Sequence, residues 1–167
     1  MLTHGSAGTV AQGYVDGQKA VIKLYGPDCT HMYLAELQAY KRLASCQGKQ
    51  IPSFLGAGEL SMGIHYLASS FVEGCPVSKM ALTPQVSEAV MKTLEQIQEV
   101  CHGFLHGDLH LGNMVCTVVG DEVRCTVIDF GHAKVASGGK EVSAEWSKLR
   151  KLLPLPDSTT PRDQGAR

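Results

Sequence analysis

At 167 residues and 44% hydrophobic content, the chain has the size of one domain, or of a small two-lobed one, and enough apolar side chain to form a core. Its net charge of −1 gives no electrostatic footing for nucleic acid or an anionic membrane. No basic segment leads an apolar run, as a secretory signal would, and no apolar stretch approaches the length of a membrane span. The six cysteines (Cys29, Cys46, Cys75, Cys101, Cys116 and Cys125) lack paired metal-ligand spacing. They read as reduced core residues of an intracellular, most simply cytoplasmic, protein.

In chain order, residues 3–10 read THGSAGTV. Such a glycine-rich loop lets backbone N–H groups approach phosphates, because glycine has no Cβ to clash. Residues 10–14 and 19–25 flank Asp16-Gly17 and predict a hairpin, since a type I′ turn wants positive φ at both central positions. Residues 30–46 predict a helix with Leu37, Tyr40, Leu43 and Ala44 on one face and Thr30 as N-cap. A linker over 47–52 leads to two strands, 54–60 and 64–72, around Ser61-Met62-Gly63, and Pro76 closes that segment. Residues 83–102 give the clearest helix: Pro84 suits its first turn, and Val86, Val90, Leu94, Ile97 and Cys101 recur at helical spacing. Residues 114–119 and 123–128 predict a hairpin about Gly120-Asp121, and 141–153 a helix with Trp146, Leu149 and Leu153 apolar. The tail over 154–167, rich in Pro, Asp, Ser and Thr, is expected to be disordered.

The run from His106 to Gly131 carries the chemistry. It reads HGDLHLGN, then the hairpin, then VIDFG. Metal-assisted phosphoryl transfer needs such a set: a carboxylate, Asp108, to position a hydroxyl nucleophile, and an amide and a second carboxylate, Asn113 and Asp129, to hold Mg²⁺ on a nucleotide. Hard oxygen donors with few protein contacts per ion suit Mg²⁺.

These two motifs resemble the protein-kinase-like superfamily, HGDLHLGN its catalytic loop and DFG its metal-binding segment. The loop is most similar to the aminoglycoside and choline kinase branch, or to short atypical kinases, because Gly107 and His110 stand where conventional protein kinases carry Arg and Lys. The resemblance implies a small bilobal α+β fold with a truncated C-terminal lobe: a kinase-like domain over 1–153, with an N-lobe about 1–72 and a C-lobe about 75–153. It implies ATP and Mg²⁺ as cofactors. Nucleotide contacts would come from Gly5, Ser6, Gly8, Val10, Val21 and Lys23, and from backbone groups, rather than side chains, of the hinge residues Phe71, Val72 and Glu73. Lys23 would reach the α- and β-phosphates and pair with Glu36, with Asp108 as base or orienter and His110 either toward the γ-phosphate or structural. His106 would pack against the DFG segment, and Phe130 beneath the helix near Tyr40 and His106. Glu145-Trp146 resembles the start of a helix whose acidic residue, usually Asp, braces the catalytic loop. No Ala-Pro-Glu segment follows, and the later lobe helices that help bind an acceptor are missing from the pattern.

Three functions follow. The first is an ATP-dependent phosphotransferase acting on a protein Ser/Thr or small-molecule hydroxyl. The second is a nucleotide-binding module with weak or no transfer. The third is a metal hydrolase that would use His106, Asp108, His110 and His132 as ligands.

Overall fold

A computed structural model describes residues 2–5, 8–136 and 139–154 of the chain. The first half of the chain builds one antiparallel sheet. Strands β1 (Leu2–Gly5), β2 (Gly8–Val15) and β3 (Gln18–Tyr25) precede helix α1 (Thr30–Arg42), and β4 (Phe54–Glu59) and β5 (His65–Ser70) follow it. The sheet order is β1-β2-β3-β5-β4. Asp16 and Gly17 both have positive φ, 49° and 78°, as a two-residue type I′ turn requires. The residues of β1 pair with β2 in register from Leu2–Ala11 to Gly5–Gly8.

Helix α1 packs against β3 and β5 and buries Met32, Tyr33, Glu36, Ala39 and Tyr40. It is shorter than its sequence pattern predicts. Leu43 leaves helical geometry (φ −99°, ψ 30°), and Ala44–Cys46 tighten into a 3₁₀ turn. The helical periodicity persists through this turn because Leu43 and Cys46 are both buried, but Gly48 (φ 72°) then reverses the chain.

The second half continues with β6 (Cys75–Pro76), helix α2 (Pro84–Val100), β7 (Phe104–Leu105), β8 (Met114–Val119), β9 (Glu122–Val127), β10 (Lys134–Val135) and helix α3 (Gly139–Arg150). β6, β8 and β9 form an antiparallel three-stranded sheet, and β10 pairs with β7. α2 starts where its sequence says: Thr83 caps it by accepting from the Val86 N–H at 3.3 Å, and Pro84 occupies the first turn. Its apolar face, Val86, Val90, Leu94 and Ile97, is buried beside β9. Each such side chain contributes about 1.5–3 kcal/mol. The expectation for the tail falls on 155–167, outside the described residues. Among the described residues no helix is long and apolar enough to cross a membrane.

Candidate active site

Alternation along β3 places Val21, Lys23 and Tyr25 on one face of the sheet. Val10 joins them from β2, directly opposite Lys23 in the register. From α1, Glu36 reaches the same point. It is 1% exposed, and an ionised carboxylate so deep needs a charged partner. Lys23 supplies it: its Nζ donates to Glu36 Oε1 at 3.0 Å and Oε2 at 2.9 Å, and the Tyr25 hydroxyl donates to Oε2 as well.

The third member of the cluster arrives on the β8–β9 hairpin. Beyond β9, Ile128 is fixed from both sides: its N–H donates to the Asn113 carbonyl at 2.9 Å, and its own carbonyl accepts from His106 Nε2 at 2.9 Å. Asp129 then takes a left-handed conformation (φ 69°), one that Asp tolerates better than most residues. That turn carries Asp129 Oδ1 to 2.6 Å from Lys23 Nζ. Phe130, fully buried, anchors the segment against Tyr40, Phe104 and His106, at ring-centroid distances of 5.8, 6.0 and 5.3 Å.

Burial alone would lower the Lys23 pKa, but the Glu36 and Asp129 carboxylates outweigh it and hold the ammonium above its ordinary value. Burial would likewise raise Asp129, yet Lys23 overrides it and keeps the carboxylate below its usual range. Tyr25 and Tyr40 are both pushed well up, by burial and then by the Glu36 charge, so both hydroxyls stay protonated.

The residues of the 106–113 loop are held largely through backbone groups. His106 is buried; its Nδ1 accepts from the Asp108 N–H at 3.3 Å, so the proton on Nε2 is the one donated to Ile128. Burial pushes its pKa down, and the neutral ring serves as a strut. Glu145 of α3 accepts the His106 N–H at 3.1 Å and the Gly107 N–H at 2.7 Å, one per carboxylate oxygen. Gly107 has φ 81°, and a Cβ there would lie 2.1 Å from the His132 carbonyl oxygen, so this backbone excludes an arginine. Asp108 is half-exposed. Asn113 donates its amide to the Asp108 carbonyl at 3.0 Å, which leaves the amide oxygen as the atom for a cation. His110 accepts the Gly112 N–H on Nδ1 at 3.0 Å and brings Nε2 to 3.7 Å from Asp108 Oδ2.

Lys23, Glu36 and Asp129 line a cavity of about 320 Å³. Val10, Val21, Phe71 and Val72, expected as nucleotide contacts, line it; so do Tyr40, Val115 and Ile128, which motif reading missed. Alternation carries a signal for the Tyr25 partner of Glu36, which lies two residues beyond Lys23 on the same strand. Glu73 is placed elsewhere. Its side chain pairs with Lys19 at 2.8 Å and lines a separate groove behind residues 70–73, and its carbonyl accepts from the Thr117 hydroxyl. Gly5 pairs with Gly8 in the β1–β2 ladder, and a Cβ on Gly8 would meet the Leu24 carbonyl oxygen at 2.1 Å. Ser6 lies outside the described residues. The metal-hydrolase grouping does not assemble: among the described residues no three His, Cys, Asp or Glu side chains are placed to hold a metal, and both ring nitrogens of His106 are engaged.

No protein-family model matches the chain, and no curated protein matches its sequence. The structure is similar to that of WaaP in complex with acyl carrier protein, with a TM-score of 0.63 and 16% sequence identity over 89% of this chain and 68% of that one. At that identity the likeness shows the fold alone, and the fold is protein-kinase-like.

Proposed function

We propose that the chain is an ATP- and Mg²⁺-dependent phosphotransferase with an N-lobe over about 1–72, a C-lobe over about 75–153, and an alcohol as acceptor. The observation that carries this reading is Lys23 held between Glu36 and Asp129 in the lining of a largely apolar-walled cavity. The walls suit a base. The backbone groups of Val72 are the candidates for adenine, since the Phe71 N–H is already given to the Lys19 carbonyl and the Glu73 carbonyl to Thr117. Lys23 would bind phosphate oxygens while Glu36 keeps its ammonium aimed. Asn113 and Asp129 offer an amide oxygen and a carboxylate, a hard donor pair that fits Mg²⁺. When bound, ATP supplies the phosphoryl group and Mg²⁺ the positive charge that balances it. Asp108, half-exposed beside Asn113, would orient the acceptor hydroxyl and hold its proton. The acceptor is a protein Ser/Thr or a small-molecule hydroxyl.

The test separates the two carboxylates. Asp129→Asn should weaken Mg²⁺-dependent ATP binding and abolish transfer. Asp108→Asn should leave ATP binding within a few-fold and lower turnover roughly 10²-fold or more, the scale of a lost general base. If Asp108→Asn abolishes ATP binding and Asp129→Asn spares it, the assignment is wrong. A wild type that binds Mg-ATP but transfers nothing identifies a nucleotide-binding module instead.

A further inference from the structure

Three of the six cysteines lie in one line across the β6-β8-β9 sheet. Cys75 is registered opposite Cys116, and Cys116 opposite Cys125. Registered residues on neighbouring strands project from the same face. Here that face is the one beneath α2, where Cys116 and Cys125 are buried in the core and Cys75 is half-buried. The other face of the sheet, through Val115, lines the cavity.

The register fixes the geometry of the inner pair. The hairpin turns through Gly120 (φ 61°) and Asp121, so its closing pair, Val119–Glu122, exchanges hydrogen bonds. Counting back by the alternation of antiparallel ladders, Cys116–Cys125 is a non-hydrogen-bonded pair, with Cα atoms about 4.5 Å apart. That spacing lies inside the window of about 4.4–6.8 Å that a disulfide spans. The register sets the two thiols side by side on the buried face, with Cys116 between Cys75 and Cys125 as the central sulfur of the row.

We propose that this row is a thiol–disulfide site in which Cys75 meets the oxidant, Cys116 relays, and Cys116–Cys125 is the stored disulfide. With hydrogen peroxide as oxidant, the Cys75 thiolate breaks the O–O bond and becomes a sulfenic acid, and the departing hydroxide is protonated to water. The Cys116 thiolate attacks the Cys75 sulfur and releases the second hydroxide, which takes a proton and leaves as water. Cys125 then gives up its proton and attacks the Cys116 sulfur, and Cys75 departs as thiolate. In sum, two thiols and one peroxide give one disulfide and two waters. Exchange needs the three sulfurs nearly in line, and one lateral row of a three-stranded sheet provides that line. This proposal stands apart from the phosphotransferase reading, and its test reads thiols rather than activity.

The reduced, folded protein is treated with hydrogen peroxide at neutral pH. Thiols are counted with a chromogenic reagent, and linked peptides are mapped by mass spectrometry, with circular dichroism following the fold. The expected result is loss of two thiols and a Cys116–Cys125 peptide, reversed by dithiothreitol with the fold retained throughout. Cys75→Ser should slow the linkage by about tenfold or more, and Cys125→Ser should trap a Cys75–Cys116 disulfide. Oxidation of the folded protein without a Cys116–Cys125 link, or with a disulfide between other cysteines, overturns the site. An unchanged rate in Cys75→Ser, a half-buried position at the edge of the row, overturns the relay.

Discussion

Replacing Gly107 by alanine tests whether the 106–113 loop is packed against the backbone of residue 132. Two costs apply. An L-residue in the left-handed region loses about 1–2 kcal/mol. The new Cβ would also sit 2.1 Å from the His132 carbonyl oxygen and 2.8 Å from its carbon, both backbone atoms that cannot swing away. Overpacking of this kind costs about 1–3 kcal/mol. Together these come to about 2–5 kcal/mol, or a Tm lower by roughly 4–20 °C for a chain of this size. Gly17 is the internal control, since it has φ 78° but nothing within 4 Å of its Cβ position. Gly17→Ala should therefore show only the dihedral cost. The gain from stiffening the unfolded chain is common to both variants and cancels. Thermal unfolding followed by far-UV circular dichroism measures the difference. Equal Tm shifts in the two variants would refute the close packing of residue 107 on residue 132. Gly107→Arg, which adds a long side chain to the same Cβ, should be worse than alanine.

Glu145→Gln keeps the length of the side chain but replaces one acceptor oxygen by a donor, so the His106 and Gly107 N–H groups can no longer both be satisfied. A hydrogen bond to a charged group contributes about 1.5–3 kcal/mol net. Turnover should fall about tenfold through misplacement of Asp108, with ATP affinity within a few-fold. Unchanged turnover in the folded variant would remove Glu145 as a brace. His106 gives a pH dependence: its folded pKa lies below the ordinary 6.5, so the unfolded chain binds the extra proton first. Its contribution is whole above that value and declines as pH drops below it toward the folded pKa. The urea midpoint should therefore fall between pH 7.5 and pH 5.5, and fall less in His106→Gln. Equal declines in the two proteins would reject that role for the ring.

Local chemistry made much of the architecture legible. Asp16-Gly17 and Gly120-Asp121 announced their hairpins through turn geometry, and Thr83-Pro84 announced α2 through its cap. The spacing of Asp108, Asn113 and Asp129 marked the loop and hairpin on which the candidate site is built. What sequence could not give was register and reach. β7 and β10 have two residues each, too few for a period to show. The residues of α1 kept their apolar rhythm through the 3₁₀ turn, which hid the helix end at Arg42. The bond from Tyr25 to Glu36 depends on α1 crossing β3, and the placement of Glu73 behind residues 70–73 depends on Lys19 and Thr117. The cysteines read as scattered core residues because their alignment exists only across strands, at separations of nine and forty-one positions.

The charges of the site make the proposed need for a cation specific. One ammonium, Lys23, faces the two carboxylates of Glu36 and Asp129. Lys23 cannot abandon Glu36, whose 1% exposure leaves it no water to turn to. A phosphate seated against Lys23 would therefore displace the contact at Asp129, whose side chain is 39% exposed, and leave two anions side by side. Like charges about 4 Å apart repel by about 1 kcal/mol in bulk water and about 4 kcal/mol at an effective dielectric of 20. A divalent ion held by Asp129 and Asn113 would reverse that sign. Asp129→Asn should then cross over: ATP binding weaker than wild type with Mg²⁺, yet at least about fivefold tighter than wild type in chelator, where only the repulsion has been removed. Isothermal titration in the two buffers measures all four affinities. If the variant binds ATP no better than wild type without metal, Asp129 does not face the phosphates, and the cavity beside Lys23 holds something other than a nucleotide.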